Sequence, residues 1–293
     1  MFKERLSCCP LCKSRDISFK YEILSYSNKF TTDICNSCGF IFMNPQFDDE
    51  TIKSFYSEQY YSGKSDYSYI DERDIKKYSS YVWDSRLKII RKFAKGGNFL
   101  DVGCAFGGFL ERASKWYIPF GIEISDYATT HAKKIFGDNI HHGTIFNHPF
   151  QAESFSVITM IELIEHLSDP KKAIEECYKL LKKDGLLLIQ TANMDGLQAK
   201  SAGPRYEYFM PGHLSYFSKK NLCKLLRSVG FSYIKVFQPV EFGLLPKLLK
   251  SRGSFKSFKD YKAWIRIATY HYKSKIHCGD FALTSSMVVY AIK

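Results

Sequence analysis

The sequence predicts an α/β protein, a doubly wound seven-stranded sheet with a small N-terminal metal-binding module. Three observations carry that expectation. Short apolar runs alternate with helical stretches from Asn98 onward, a glycine-bearing loop joins the first run to a helix, and two Cys-x-x-Cys pairs stand near the start. Strands alternating with helices imply a parallel sheet whose ligands bind at the carboxyl ends of the strands. A chain of 293 residues fits one large domain or two unequal ones and can bury a full core.

Composition narrows the class. Apolar residues at 45% and charged residues at 25% exclude a disordered chain, a collagen-like repeat and a coiled-coil rod. No stretch approaches the ~18 consecutive apolar residues of a membrane span. The opening MFKERLSCCP has charges with no apolar run behind them, so it does not read as a secretory signal, and a cytoplasmic location is expected. The 42 basic minus 30 acidic side chains leave +12. That field favours an anionic partner: nucleic acid, a nucleotide-sugar or a phospholipid surface.

Residues 1–45 read as a zinc-ribbon module. Cys9, Cys12, Cys35 and Cys38 form the two pairs, separated by alternating β-type sequence, while Cys8 and four others are scattered. Nine cysteines, an odd count, argue against a disulfide framework. Two intervening residues let one tight turn aim both sulfurs at a single ion, and two such turns give the tetrahedral thiolate cage that zinc prefers. Four thiolates leave no open coordination position, so this zinc is expected to be structural.

Residues 46–97 read as a tyrosine-rich lid and a connector helix over about 71–94. The core is expected over 98–293, with an insert at 192–217 and a basic helical segment at 241–275. Strands are expected at 98–102, 118–123, 139–142, 155–160, 185–191, 231–237 and 281–292, and helices near 106–117, 126–136, 170–182 and 218–229. In FLDVGCAFGGFL a strand ends in Asp101, and Gly103, Gly107 and Gly108 open a helix, where small residues let a backbone approach a ligand. Glu123 ends the next strand, where an acid can take both hydroxyls of a ribose.

These motifs, DVGCAFGGF, GIEIS, TMIELIEHLSDP and LLKKDGLLLIQTAN, resemble class I S-adenosylmethionine-dependent methyltransferases, in the family's order over about residues 98–293. The resemblance implies their Rossmann-like sheet with an antiparallel last strand, and S-adenosylmethionine as cofactor. The zinc-knuckle start, FMNPQ and the tyrosine-rich segment resemble a bacterial subset that modifies sugars, glycans and small metabolites. The resemblance places Asp101, Gly103, Cys104, Ala105 and Gly107 along the cofactor's methionine end, Glu123 on its ribose and Ile124 against the adenine. Thr144 and Ile145 would meet the adenine edge, and Tyr61, with Tyr56 and Tyr60, would belong to a lid that excludes water. Ala105 departs from the family, which usually has glycine there. A dinucleotide dehydrogenase, the competing reading of this fold, would want the tighter G-x-G-x-x-G that the loop lacks.

The acceptor is approached by exclusion and by resemblance. Exocyclic-amine methyltransferases carry an Asn/Asp-Pro-Pro-Tyr/Phe motif where this chain reads TMIELIEH, and the prolyl-cysteine of cytosine C5 enzymes is also missing there, so oxygen or carbon acceptors are expected. Glu162, Glu165 and His166 would share one helical turn. Their spacing resembles ubiquinone-biosynthesis O-methyltransferases, where equivalent residues are associated with a divalent cation near a catechol; a loop-ordering Glu-His pair is the alternative. In the resembling sugar methyltransferases an insert like GPRYEYFMPGHLSYFS covers the acceptor and supplies a histidine base. That makes His213, with Glu165 and His166, the catalytic candidate set, and Tyr206, Tyr208 and Arg205 the candidate acceptor contacts. Glutamate often precedes the histidine in those enzymes; here it is Gly212.

The expected acceptor is a small anionic molecule, a nucleotide-sugar or surface-glycan precursor. A nucleic-acid methyltransferase that uses the zinc ribbon and the basic surface is a rival reading; against it, the ribbon does not interleave aromatic with basic residues and the nucleobase motif is missing. A non-catalytic relative that has lost its donor site is the remaining alternative. Between Leu244 and Lys275 stand nine Lys or Arg and one acid, Asp260, with Phe258, Tyr261, Ile265, Ala268 and Tyr272 in one helical stripe. The stripe reads as a helix packed on the core with a solvated basic face; a peripheral membrane or lipid-linked glycan contact is the second reading.

Overall fold

The computed structural model describes residues 1–55, 58–61, 71, 73–238 and 241–293. At the N-terminus β1 (Ile17–Ser25) and β2 (Asn28–Cys35) form an antiparallel hairpin with Ser25 opposite Asn28. Tyr26 and Ser27 both take positive φ, the twist-matched geometry of a two-residue hairpin turn. β3 (Ile41–Met43) adds to β2. Then come α1 (Asp49–Phe55), α2 (Glu58–Tyr61) and α3 (Lys76–Ile90), the last shorter than the helix expected over 71–94. Tyr56 lies outside the described residues.

The alternating part follows: β4 (Asn98–Val102), α4 (Gly108–Ala113), β5 (Ile118–Glu123), α5 (Asp126–Phe136), β6 (Ile140–His142), β7 (Phe155–Ile161), α6 (Pro170–Leu180) and β8 (Leu181–Ala192). Local chemistry starts these helices. Ser125 Oγ accepts from the Ala128 N–H at α5, and Asp169 accepts from the Lys172 N–H at α6 while Pro170 presets the first turn. Beyond β8 lie α7 (Leu197–Ala202), β9 (Ser215–Tyr216), α8 (Lys219–Val229), β10 (Tyr233–Phe237), α9 (Leu244–Arg252) and α10 (Lys262–Lys273). The small hairpin β11 (His277–Cys278) and β12 (Phe281–Ala282) precedes β13 (Ser286–Ile292). The run expected as one strand over 281–292 is thus broken between β12 and β13. β8 starts earlier than expected, at Leu181, through an irregularity opposite Phe155 and Val157.

The central sheet runs β10-β13-β8-β7-β4-β5-β6. Its strands are parallel except β13, which is antiparallel to both β8 and β10. This is the seven-stranded Rossmann-like arrangement expected of a class I methyltransferase. A second sheet, β1-β2-β3-β9, joins the N-terminal hairpin to the insert, because Ile41 and Phe42 pair with Tyr216 and Ser215. That ladder was invisible in the sequence.

Alternation along β8 sends Leu187 and Ile189 to one face of the central sheet and Leu186 and Leu188 to the other. The second face packs on Trp83, Leu87 and Ile90 of α3. The first face packs on Ile174 and Cys177 of α6 and Leu222 and Leu226 of α8, and that cluster continues into Cys9, Leu11, Cys35, Phe40 and Phe42. The cysteine-bearing turns therefore share the main core. Phe217, fully buried, sits at the junction with its ring 5.0 Å from Phe40. Among the described residues no helix is long and apolar enough to cross a membrane. Truncating Phe217 to Ala is expected to lower unfolding stability by about 3–5 kcal/mol. Denaturant titration followed through both far-UV signal and tyrosine fluorescence would show one coincident transition moving to lower denaturant.

Candidate active site

The loop after β4 is shaped by contacts that leave little freedom. Gly107 takes φ +81° at the start of α4. At Gly108 an added Cβ would lie 2.6 Å from the Trp83 ring, so side-chain-free backbone is needed for α3 to close on α4. Ala105 adopts φ +47°, a left-handed conformation that costs a non-glycine residue about 1–2 kcal/mol. Its N–H donates to Glu123 Oε2 at 2.9 Å, which ties the loop to the end of β5. Glu123 also accepts from the Ser125 N–H at 2.9 Å and from the Tyr61 hydroxyl at 3.2 Å. Burial raises the Glu123 carboxyl above its ordinary range, and these donors oppose the shift. Asp101, at the end of β4, accepts from Thr159 Oγ1 at 2.6 Å.

A cavity of about 440 Å³ opens on this loop, lined by Asp101, Gly103, Cys104, Ala105 and Phe106, and by Ile161, Glu162 and Gln190 from the ends of β7 and β8. Its volume lies within the range of small-molecule sites. Arg73, Lys76, Trp83 and Arg86 form the wall opposite, with Lys250 of α9. Arg73 lies over the Phe106 ring at 3.8 Å from its centroid, and its fork engages Asp71. Glycine-loop backbone, an aspartate at the strand end and a carboxylate on the next strand, both able to accept from an ammonium or ribose hydroxyls, are the groups an adenosyl-amino-acid cofactor requires, so the residues fit S-adenosylmethionine.

Arg86 organises the far wall. Its guanidinium pairs with Glu241 at 2.9–3.2 Å and also donates to Gln190 Oε1, whose amide nitrogen donates to Glu162. The Tyr290 hydroxyl donates to Glu241. Arg86 and Glu241 are both buried. A run of polar groups thus crosses from β13 to the end of β7, buried at Tyr290, Glu241 and Arg86, half-buried at Gln190 and exposed at Glu162.

The third constellation lies beyond Glu162. Glu165 has no solvent exposure. Its carboxylate accepts from the Tyr208 hydroxyl and from Thr191 Oγ1, the latter at 3.0 Å. The Ala192 N–H donates to the Tyr208 oxygen at 3.2 Å. His166 and His213 meet with ring centroids 4.5 Å apart, and His213 lies 4.3 Å from the Tyr208 ring. His213 Nδ1 bonds to the Tyr208 carbonyl at 2.8 Å and His166 Nδ1 to the Gly212 carbonyl at 2.9 Å. Burial, then the neighbouring His166, push the His213 pKa well below the ordinary imidazole value. Burial and the nearby Glu165 both raise Glu162, whose carboxylate stays open to the cavity.

The expected helical turn at 162–166 is absent. Glu162 takes φ +51° and only Ile164–His166 form a short 3₁₀ turn. Among the described residues, Glu165, His166 and His213 bring candidate ligand atoms within 4.8 Å of one another. Glu162 accepts from Gln190 at the cavity's edge and lies outside this group, whose third member comes from the insert. Tyr206 points elsewhere, its hydroxyl donating to the Ser285 carbonyl at 3.2 Å. Arg205 is exposed on a 3₁₀ turn and does not line the cavity. Ile124 is exposed beside Glu123, Thr144 bonds to Asn147 Oδ1, and Ile145 is buried in the main core. Cys104 is buried, which raises its thiol well above the ordinary range. Sequence reading missed Arg73, Arg86, Gln190 and Lys250. For Arg86 a signal existed: it interrupts the otherwise apolar stripe Trp83, Leu87, Ile90.

At the N-terminus the Cys9–Cys38 and Cys12–Cys35 sulfurs lie 3.8 and 3.5 Å apart, and the four ligand atoms fall within 4.8 Å of one another. A tetrahedral ion with metal–sulfur bonds near 2.3 Å would set its ligands about 3.8 Å apart, so the geometry is compatible with a small zinc-binding module. The hydrogen bond from the Cys38 thiol lowers the Cys9 thiol pKa to about 5, and Cys38 is raised in return.

A seven-stranded sheet with one antiparallel strand, a glycine loop after its first core strand and an acid closing the second together define a class I S-adenosylmethionine-dependent methyltransferase. The profile of a family described as a methyltransferase domain matches residues 73–236, over half of the chain, and the protein belongs to that family. A ubiquinone biosynthesis O-methyltransferase of Coxiella burnetii is 29% identical over 172 residues, which cover 50% of this chain and 73% of that protein. An uncharacterised protein of Methanocaldococcus jannaschii is 24% identical over 175 residues, covering 59% and 80%. In structure, an N-methyltransferase of Haemonchus contortus with S-adenosylhomocysteine bound aligns with a TM-score of 0.55 at 17% identity, over 94% of this chain and 68% of that one. That likeness is one of fold.

Replacing Glu241 with Ala would strand the buried Arg86 cation and is expected to cost about 3–5 kcal/mol. The double replacement Arg86→Met with Glu241→Leu should recover most of that loss, read as the midpoint of chemical unfolding.

Proposed function

We propose that the protein transfers the methyl group of S-adenosylmethionine to an oxygen or carbon of a small anionic acceptor, a nucleotide-sugar or surface-glycan precursor. The observation that carries this reading is the Glu165–Tyr208–His213 cluster beside the donor cavity. The bound sulfonium supplies an activated methyl group, so the protein's task is alignment and removal of the acceptor's proton. With Nδ1 held on the Tyr208 carbonyl, His213 is fixed as the tautomer whose Nε2 lone pair can take that proton. Tyr208, locked on Glu165, holds the ring in place. His213 is 3% exposed, so in this reading the acceptor reaches Nε2 by displacing part of the 206–213 segment.

Cofactor roles follow the same residues. Asp101 and the 103–107 backbone would hold the methionine end, with Arg86 facing the carboxylate. Glu123 would take the ribose hydroxyls once the Tyr61 hydroxyl gives way, and Ile124 and Thr144 would border the adenine. Zinc on Cys9, Cys12, Cys35 and Cys38 would be structural.

A second reading, a catechol-type O-methyltransferase, is favoured by the Glu165, His166 and His213 grouping. There a divalent cation would sit on those three residues, and the cation would polarise the acceptor hydroxyl.

Calorimetric titration with S-adenosylhomocysteine should give micromolar binding, tightened by one nucleotide-sugar from a panel. No binding would sink both readings. His213→Asn is expected to lower kcat by about 10²–10⁴-fold with S-adenosylhomocysteine affinity unchanged. Because a base works unprotonated and the His213 pKa is depressed, activity should persist as pH falls through about 6.5 and fail only below it. Turnover abolished by a chelator and restored by magnesium, with zinc retained, would decide for the second reading.

Elemental analysis should find one zinc per chain, absent from Cys12→Ser with Cys35→Ser. That variant should lose several kcal/mol of stability, since metal binding and folding are coupled in such cages, by about 10–16 kcal/mol in isolated zinc-finger peptides.

A further inference from the structure

Periodicity in the C-terminal segment defines an apolar stripe, and packing decides which way it faces. α10 lays Trp264, Ile267, Ala268 and the buried His271 toward the protein. Beneath it Trp264 meets Tyr261 with ring centroids 4.9 Å apart. Packing splits the expected stripe: Tyr261 and Ala268 are half-buried, while its other three members face outward. Phe258, Ile265 and Tyr272, each seven residues or about two helical turns from the next, are 89%, 70% and 57% exposed. Leu245 of α9 and Ile276 just past α10 are exposed as well. Large apolar side chains in a row on a solvent face mark an interaction surface.

Cations bracket the row. Lys256, Lys259, Lys262, Arg266, Lys273 and Lys275 are all exposed, and each outward apolar residue of the stripe is followed directly by one of them. Asp260, the one acid of the segment, does not neutralise this face. Its carboxylate accepts from the Lys256 and Ser257 N–H groups at 2.7 Å each and caps the turn.

We infer that this face docks on an anionic phospholipid surface, with Phe258, Ile265 and Tyr272 entering the boundary between headgroups and acyl chains and the cations pairing with headgroup phosphates. A helix whose outward side mixes large apolar residues with Lys and Arg suits the plane of such an interface. Anionic headgroups attract each nearby cation, within a Debye length of the surface. A nucleic acid would satisfy the cations but would leave the aliphatic Ile265 and Leu245 with nothing to stack on. α9 packs on both α10 and α3, and Lys250 of α9 lines the donor cavity, so docking sets a wall of that cavity close to the lipid. The inference does not depend on which acceptor is methylated.

The test is cosedimentation of the full-length protein with phosphatidylcholine vesicles, with and without phosphatidylglycerol. Binding is expected only with the anionic lipid and should weaken with salt. Lys259→Glu, Lys262→Glu and Arg266→Glu together should lower partitioning by at least about 100-fold. Phe258→Ser, Ile265→Ser and Tyr272→Ser together, which keep every cation, should lower it by about tenfold or more. Unchanged S-adenosylhomocysteine affinity would show that both variants are folded. Failure of the native protein to bind anionic vesicles overturns the inference, and full binding by the serine variant overturns the inserted row. Retention of a single-stranded RNA through the same cations, with no vesicle binding, would assign the face to nucleic acid instead.

Discussion

A carboxylate with no access to water must receive its hydrogen bonds from protein, and Glu165 obtains them from Tyr208 and Thr191. That requirement fixes much else. Tyr208 belongs to the insert after β8, so anchoring its hydroxyl draws the insert down onto the end of the sheet. The Tyr208 carbonyl then orients His213, and the Leu214 N–H reaches the Glu165 carbonyl at 2.8 Å. The next two residues, Ser215 and Tyr216, pair with β3. Remove the acid and the tyrosine, backbone and imidazole lose their common reference point.

The opposite wall obeys the same rule with charges instead of hydroxyls. Arg86 and Glu241 lie far apart in sequence and are joined only because α3 and the segment after β10 meet over β13 and β8. Gln190 passes that polar run to Glu162 at the cavity's edge. A rigid wall of this kind costs desolvation, and such pairs are weak sources of net stability. What it provides is position: the cavity is bounded by groups whose rotamers are set on both sides.

Local features of this architecture could be read from the chain. The glycine loop, the acid closing β5 and the alternation of apolar runs depend on neighbours a few residues apart, and the Ser125 and Asp169 caps are chemistry of single turns. The cysteine spacing was legible for the same reason. What stayed hidden is long-range. Nothing in SYFS announces the β3–β9 ladder, because two residues carry no periodicity. The 162–166 segment was expected as a helical turn by spacing alone, but Glu162 turns left-handed to reach Gln190. The C-terminal stripe shows the limit plainly: periodicity groups Phe258, Tyr261, Ile265, Ala268 and Tyr272, and only packing shows that Tyr261 and Ala268 are half-buried while the other three face outward.

The shared core of the N-terminal turns and the central sheet has a consequence for how the chain can vary. Phe40 and Phe42 are packed among Phe217, Leu222 and the sheet residues, and the β3–β9 ladder sews the insert to the same strands. Residues 1–43 are therefore not a cassette. A homologous exchange of this module, or a deletion that looks clean in an alignment, would bare an apolar patch on the sheet and unseat the loop that carries His213. Drift in the one is constrained by drift in the other, and the two must change together.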